Sequence, residues 1–465
     1  MTICKKNEIM NHWKYHNKEY IISTYTMEEQ EEKFLISLDP PAGTRDFMPE
    51  DMRVRNWLFA FWKNVSRRFG YGEYDAPVVE YEELYTRKGG DDITKEMFAF
   101  TLGNNKLALR PEMTPSIARM MMKYYKTSPP PFKMFSIPQC WRYEDIKRGR
   151  KREHFQWNCD IFGAEKVLSE IEIFQMVTTF FEAVGLTSSD VILKVSNRMI
   201  LQKVLDGMGV PKDSFARACV LIDKLAKIPK EEMTELLRTE ISLTEEQVDT
   251  IYELCSVTNI DCLSKFLGEN DETFLEMKKI FDIADKIGIG KWLQLDVSIV
   301  RGLSYYTGIV FEGFSLTLPN LQKSICGGGR YDNLLSSYGY KEQVPAIGFG
   351  FGDVVIVEML RDLGKLPLCP TETQYLVVPF NESFFVEASQ VAQLMRGKGI
   401  NAELYTKNTR ITKAYDYADR KGINSVVLIA PGEWAEKKIV LKKLRETDTK
   451  LKQVTIELGE FIDGL

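Results

Sequence analysis

An antiparallel α+β fold, with a helical insertion and a smaller α/β unit behind it, is what this sequence predicts, on three observations. Between Lys106 and Gly163 the strand-like runs LALR, FKMFSI and WNCDIF alternate with one helical stretch and a highly charged turn. From about residue 200 to 285 strand-like alternation becomes rare and helix-start signals follow one another. After Pro367 and Pro370, short strands and helices alternate to the end. At roughly 150 residues per domain, 465 residues allow about three domains. The chain divides into an extension over 1–38, a principal domain over 39–370 and a terminal domain over 371–465.

Residues 1–38 are polar and aromatic-rich, end in the acidic run Glu28, Glu29, Glu31, Glu32, and carry no fold signal. A Pro/Gly-rich lead-in, PPAGTRDFMPEDM, then opens a long amphipathic helix over Arg53 to Phe69. Gly70 and Gly72 stop it, and an extended run, Asp75 to Glu80, crosses Pro77. A helix is expected at Pro115 to Tyr125. In the insertion, Pro211 and Pro229 are read just inside helix starts, and Thr244 with Gln247 forms a capping-box pattern. Strands resume at VRGLSYYTGIVFEGF and after CGGGRYD. The last unit reads YLVVPF, a helix near Glu387 to Gly397, NAELYT, a helix near Ala414 to Arg420, SVVLIA and IVLKKL.

Hydrophobic residues at 44% and charged residues at 27% are ordinary globular usage. A net charge of −5 excludes a global positive field, so any nucleic-acid role must rest on local clusters. Eight scattered cysteines without a C-x-x-C pair fit reduced thiols better than a disulfide or zinc framework, and three histidines make a histidine-rich metal centre untenable. No uncharged stretch of 18 residues occurs, so no membrane span is expected. The first 40 residues hold seven acidic groups, five lysines and no arginine, unlike a signal or transit peptide. Cytoplasm is the expected compartment, with shared use in an organelle left open.

The most informative segment is CWRYEDIKRGRKREHFQWNCDIFG, Cys140 to Gly163. Its turn, 142–152, sets six basic side chains against Glu144 and Asp145 and is flanked by apolar strand-like residues. Such a unit can present cations to a polyphosphate. On charge alone a solvated hairpin tip or a localisation-like run competes with that reading.

Context decides. Trp141-Arg142-Tyr143-Glu144 before the turn, with an aromatic and then a polar residue after it, resembles motif 2 of the class II aminoacyl-tRNA synthetases. GYGEYDAPVVEYEELY resembles motif 1, with Pro77 at a dimer interface, and LRPEMTPSIAR resembles the family's amino-acid-binding stretch. RGLSYYTGIVFE and CGGGRYDNL are narrower and resemble the two signature peptides of the histidyl-tRNA synthetase family. The resemblance spans about residues 39–465, the terminal unit being similar to the family's anticodon-binding domain.

The resemblance implies a homodimeric, ATP-dependent ligase that activates L-histidine and transfers it to tRNA(His). It places Arg142 on the α-phosphate and Arg301 on the opposite side of the reacting centre, with Glu144, Arg150 and His154 around ATP and Mg2+ bridging its phosphates. Fixed cations there would offset repulsion between a carboxylate and a phosphate, and a guanidinium can grip two oxygens at once. Glu112, Thr114 and Gln156 are implied at the amino end of histidine, with Asp160 and Tyr306 facing the imidazole and Tyr305 and Tyr331 beside them. Gly327 to Gly329 are expected to let backbone approach substrate. Lys437, Lys438, Lys442, Lys443 and Arg445 are candidate tRNA phosphate contacts. No protein metal ligand is expected.

Three positions depart from the family pattern. Ser304 stands where Asp is usual, His154 where Phe is common, and Asp353 where motif 3 carries an arginine that stacks on adenine. A branch holding adenine differently, with His154 as the stacking face, accounts for two of them. The competing class is a synthetase-like regulatory paralogue that binds histidine or tRNA without catalysis, its ATP affinity lost.

Overall fold

The computed structural model describes residues 36–87, 94–225, 228–300, 305–318 and 324–465. Arg301, Ser304 and most of the N-terminal extension lie outside them. Two compact units divide at Pro41/Ala42, and all strands and helices among the described residues belong to the second.

A nine-stranded sheet forms its centre. In chain order its strands are β1 (Gly72–Glu73), β5 (Phe132–Ser136), β6 (Gln139–Trp141), β7 (Glu153–Phe162), β8 (Val191–Asn197), β9 (Leu293–Leu295), β10 (Ile309–Ser315), β11 (Cys326–Arg330) and β12 (Ala346–Gly352). The path across it is β1-β5-β7-β12-β11-β10-β8-β9, with β6 paired to β7 alone. All pairs are antiparallel except β1–β5 and β8–β9. A small side sheet joins β2 (Val79–Tyr81), β3 (Ala99–Leu102) and β4 (Asn105–Leu109) in the order β2-β4-β3.

The helix Pro49–Arg68 begins with Pro49 at its first turn, and Glu50 and Asp51 near its positive end match Arg67 and Arg68 near its negative end. It starts four residues before the apolar pattern does. Leu58, Trp62 and Val65 form its buried face, and Trp62 stacks on Trp157 of β7 with centroids 6.0 Å apart. Gly70, at φ +78°, supplies the left-handed residue that lets the chain turn back into β1.

β7 shows how alternation divides labour. Trp157, Cys159 and Ile161 enter the main apolar core with Phe174 and Phe180 of the helix Leu168–Ala183. The intervening Gln156, Asn158 and Asp160 turn to the other face, where the side sheet and the helix Thr114–Tyr124 lie.

Because β8 and β9 run parallel, the chain between them must cross over. It does so through helices that include Arg198–Gly207, Phe215–Ile222, Lys230–Ile241, Glu245–Cys255 and Glu272–Lys286. Thr244 and Gln247 form the expected capping box. Pro211 and Pro229, expected just inside helices, instead precede them with extended ψ angles of 139° and 144°. Similarly, of the run Asp75 to Glu80 only its end pairs, as β2, and the strand expected from residue 300 begins at Ile309.

The C-terminal sheet contains β13 (Tyr375–Pro379), β14 (Ala402–Leu404), β15 (Ser425–Ile429), β16 (Lys438–Lys443) and β17 (Gln453–Glu457), in the order β14-β13-β15-β16-β17. Its first three strands are mutually parallel and the last two antiparallel. The helices Phe385–Gly397 and Ile411–Arg420 stand where the sequence places them. Among the described residues, no helix is long and apolar enough to cross a membrane.

Candidate active site

Two connected spaces lie over β7, β11 and β12. The inner cavity is lined by Glu112, Thr114, Arg142, Gln156, Asn158, Tyr305, Tyr306, Gly327, Tyr331, Gly348, Phe349 and Gly350. The outer cleft, about 280 Å³, is lined by Arg142, Glu144, Arg150, Lys151, His154, Gln156, Ser324 to Gly327, Gly350, Gly352, Val354 and Val355, with Gly149 at its edge. Arg142, Gln156, Gly327 and Gly350 line both, so the two spaces adjoin across these residues.

Register explains how β7 can bring polar side chains here. Asp160 lies opposite Gly348, and Gly350 and Gly352 follow at alternate positions of β12. A Cβ on Gly348 would sit 2.3 Å from Asp160 Oδ1, and one on Gly350 2.3 Å from Gln156 Nε2. The alternating G-F-G-F-G of β12 thus leaves room for site side chains on one face. Phe349 and Phe351 enter the core on the other. This alternation was the available sequence signal for Gly348 and Gly350. Of the expected triple glycine, only Gly327 lines the site. Gly328 is required by close packing on the Gly348 carbonyl, and Gly329 by the Ile309 carbonyl and then the Tyr306 ring.

Inside, most polar side chains are buried and several are paired, while the Asn158 side-chain oxygen is buried without a hydrogen-bond partner among the described residues. The Tyr305 hydroxyl donates to Glu112 Oε2 at 2.9 Å. Asp160 is fully buried and sits behind the cavity wall. Its carboxylate accepts the hydroxyls of Tyr331 and of Tyr74, the latter at 3.5 Å. Burial, with the Glu112 charge, raises the Asp160 carboxyl to about 7 against the pull of the two phenols. Sequence reasoning placed Asp160 against ligand. The fold instead puts Tyr331 on the wall, and it adds Tyr74, which lies in the motif 1 segment but is not among the expected site residues.

Outside, cations stand partly exposed around one carboxylate. Arg142 Nε donates to the Pro111 carbonyl at 2.9 Å, and its Nη1 lies 3.9 Å from Glu144 Oε1. Arg150 pairs with the other Glu144 oxygen. Arg148 turns away to Glu358 and Asp362, and Arg152 covers the Tyr143 ring at 3.8 Å. Arg142, Arg150 and Lys151 therefore remain as the turn's contribution to the cleft. Burial and the charges of Arg142 and Arg45 lower the His154 imidazole to about 3, so the ring is neutral.

Asp353 does not reach into this cleft. It is buried, pairs with Arg45 at 3.0 Å and accepts the Phe155 backbone N–H at 2.9 Å. Glu112, Thr114, Gln156, Tyr305, Tyr306 and Tyr331 are thus brought together inside, Glu144, Arg150 and His154 outside, and Arg142 between them.

A family model described as histidyl-tRNA synthetase matches residues 43–352, and one described as an anticodon binding domain matches residues 374–465. The histidine–tRNA ligase, chloroplastic/mitochondrial, of Arabidopsis thaliana is 44% identical over 411 residues, 88% of this chain and 84% of that protein. The histidine–tRNA ligase of Leptospira biflexa serovar Patoc is 36% identical over 426 residues, 91% of this chain and 96% of that protein. Among solved structures, histidyl-tRNA synthetase from Nostoc sp. PCC 7120 superposes with a TM-score of 0.76 at 24% identity, over 92% of this chain and 99% of that one. That likeness concerns the fold, whereas the family model and the two relatives concern the sequence, and on those grounds the chain belongs to the histidyl-tRNA synthetase family.

Proposed function

We propose that the chain is a histidine–tRNA ligase, which converts L-histidine and ATP to histidyl-adenylate and pyrophosphate and then passes histidine to the 3′ end of tRNA(His). The observation that carries this reading is that the inner cavity and the outer cleft adjoin and share Arg142 in their linings. An amino acid held inside would meet, at that junction, a phosphate held outside. In the first step a histidine carboxylate oxygen bonds to the α-phosphorus and the bond to the pyrophosphate oxygen breaks. Arg142 is positioned to neutralise charge on the α-phosphate as this happens. Arg301 is proposed on its opposite side.

Glu112, Thr114 and Gln156 hold the ammonium end of histidine, and Tyr306 and Tyr331 face the imidazole, with Tyr305 fixing Glu112 and Asp160 polarising Tyr331. A wrong amino acid would leave these buried groups unpaired, at a cost of about 1–3 kcal/mol each. Arg150 holds the triphosphate, Glu144 stands beside ATP, and His154 lies against adenine. Among the described residues, Glu144 is the one carboxylate lining the outer cleft, and no cluster of three or more His, Cys, Asp or Glu is gathered for a metal. This donor set fits a Mg2+ ion carried by the phosphate oxygens with Glu144 beside it, which would supply further charge neutralisation.

We also assign catalysis to residues 39–370, tRNA anticodon contact to 371–465, homodimerisation to the motif 1 segment and residence to the cytoplasm. Of the candidate RNA-binding cations, Lys438 and Arg445 are engaged by Glu436 and Asp419, and Lys442 covers Tyr415, which leaves Lys437 exposed just before β16 and Lys443 exposed at its end. Histidine-dependent pyrophosphate exchange followed by charging of tRNA tests the reading. Exchange with histidine alone among the amino acids is expected. Its absence would overturn the enzyme assignment, and exchange without charging would overturn the transfer step.

A further inference from the structure

The lead-in segment before the first long helix runs alongside the start of β7. The Arg152 backbone N–H donates to the Gly43 carbonyl at 2.8 Å, and the Arg152 side chain reaches the Ala42 carbonyl at 3.3 Å. Two residues further, Arg45 turns inward. Its Nε lies 2.6 Å from Glu153 Oε1, one terminal nitrogen 3.2 Å from Glu153 Oε2, and the other 3.0 Å from Asp353 Oδ2. The Glu153 and Asp353 side chains are 1% and 5% exposed. Gln139 donates to Glu153 at 3.1 Å. The second Asp353 oxygen accepts the backbone N–H of Phe155.

One guanidinium therefore holds the side chain of the residue before His154 and, through Asp353, the backbone of the residue after it. Between these two fixed points the His154 ring lines the outer cleft with Val354 and Val355. Arg45 itself lines a neighbouring recess with Phe47 and Arg55, which shares Lys151 and Val354 with the cleft. An arginine at 353 would place a second guanidinium beside Arg45 in a buried position and remove one of its two counter-charges, an arrangement that costs heavily.

We propose that Arg45, Glu153 and Asp353 form a clamp that positions His154 as the ring on which the adenine of ATP lies, in place of an arginine at 353. The inference rests on the nucleotide reading of the outer cleft. A planar fork between two carboxylates has the rigidity this requires, which a lysine would lack. The neutral ring offers a flat face to the cleft. Arg45 is a positioning residue, since it acts through His154 and does not line the cleft.

Calorimetric titration with ATP in the absence of histidine, together with KM for ATP and for histidine in pyrophosphate exchange, tests this on Arg45→Ala, Arg45→Lys, Asp353→Asn, His154→Ala and the double variant Arg45→Ala/His154→Ala. Base–ring stacking sets the scale, so His154→Ala and Arg45→Ala should each weaken ATP roughly fivefold or more, with histidine KM changed by less than about twofold. Arg45→Lys should behave as the alanine variant does. The double variant should be no weaker for ATP than His154→Ala alone. Additive losses in the double variant, or equal rises in both KM values, would show a general structural role and overturn the clamp. Should Arg45→Ala fail to fold, Arg45→Lys and Asp353→Asn carry the same comparison. ATP binding that follows the expected pattern in a chain without histidine-dependent exchange defeats the proposed reaction and keeps the clamp. ATP binding indifferent to every single variant defeats the clamp and keeps the reaction.

Discussion

The inner cavity and the outer cleft share four residues and handle charge in opposite ways. Inside, carboxylates are sealed and already bonded: Glu112 to Tyr305, Asp160 to Tyr331 and Tyr74. Outside, Arg142, Arg150 and Lys151 surround the single carboxylate of Glu144 and keep part of their surface in solvent. A buried arrangement with its carboxylates already bonded suits discrimination, because a ligand must reproduce particular hydrogen bonds or leave groups unpaired. A cluster with surplus positive charge suits a polyphosphate, whose oxygens need neutralisation more than geometry. The contrast is sharpest at Arg142, which faces both.

The largest expected effect comes from removing that shared residue. Arg142→Ala should lower kcat for histidine-dependent exchange by about 10²–10³, the scale of losing one donor that stabilises charge formed in the transition state. Arg150→Ala, which removes charge from the outer cleft only, should act mainly on KM for ATP. If both variants lose kcat equally, the cations work as a summed field, and the division into two chambers has no catalytic meaning.

How much of this division was legible in the sequence depends on distance along the chain. The basic turn, the LRPE stretch, the tyrosine pair and the alternating glycines are contiguous, and their residue types declare their surroundings. The linkage of Arg45 to Glu153 spans 108 residues, Tyr74 to Asp160 spans 86, and the Phe155 backbone to Asp353 spans 198. Such pairs exist because of sheet register and the path of the lead-in, and no local pattern encodes them. The same limit explains Asp353. Against a motif it looks like a lost arginine; in the fold it is the partner of another one. It also explains the turn, where Arg148 and Arg152 are consumed by neighbours that only the tertiary structure supplies. Pro211 and Pro229 differ from expectation for another reason, since a proline fits the residue preceding a helix as well as its first turn.

Asp160→Asn breaks the inner chamber and gives the next largest effect. Losing the buried carboxyl behind Tyr331 should raise KM for histidine roughly tenfold, at about 1–2 kcal/mol, with KM for ATP unchanged. The same variant carries a pH signature. An aspartate ordinarily titrates near 3.9, and burial raises this one to about 7, so the folded chain holds the proton more tightly than the unfolded chain does. The stability this provides is full below about pH 4 and is lost as pH rises through about 7. Asparagine does not titrate. The melting temperature of Asp160→Asn relative to wild type should therefore climb between about pH 4 and about pH 7 and then level off. A difference independent of pH would mean that the two phenols keep Asp160 ionised throughout, making the inner chamber charged where burial argues for a shared proton.

His154→Phe should have the smallest effect, and its size tests whether the chambers differ in kind. With the imidazole held neutral by burial and two neighbouring arginines, the ring contributes a flat face and no charge. Phenylalanine keeps that face, so ATP affinity should change by less than about threefold, well below the loss expected for His154→Ala. KM for ATP should follow the same course between about pH 6 and about pH 8 in both proteins, since a group titrating near 3 cannot change state there. If phenylalanine loses as much as alanine, a ring nitrogen must be bonding to the base. Adenine would then be read by a paired polar group, as the inner cavity is proposed to read imidazole, and the outer cleft would discriminate by the same rule as the inner one.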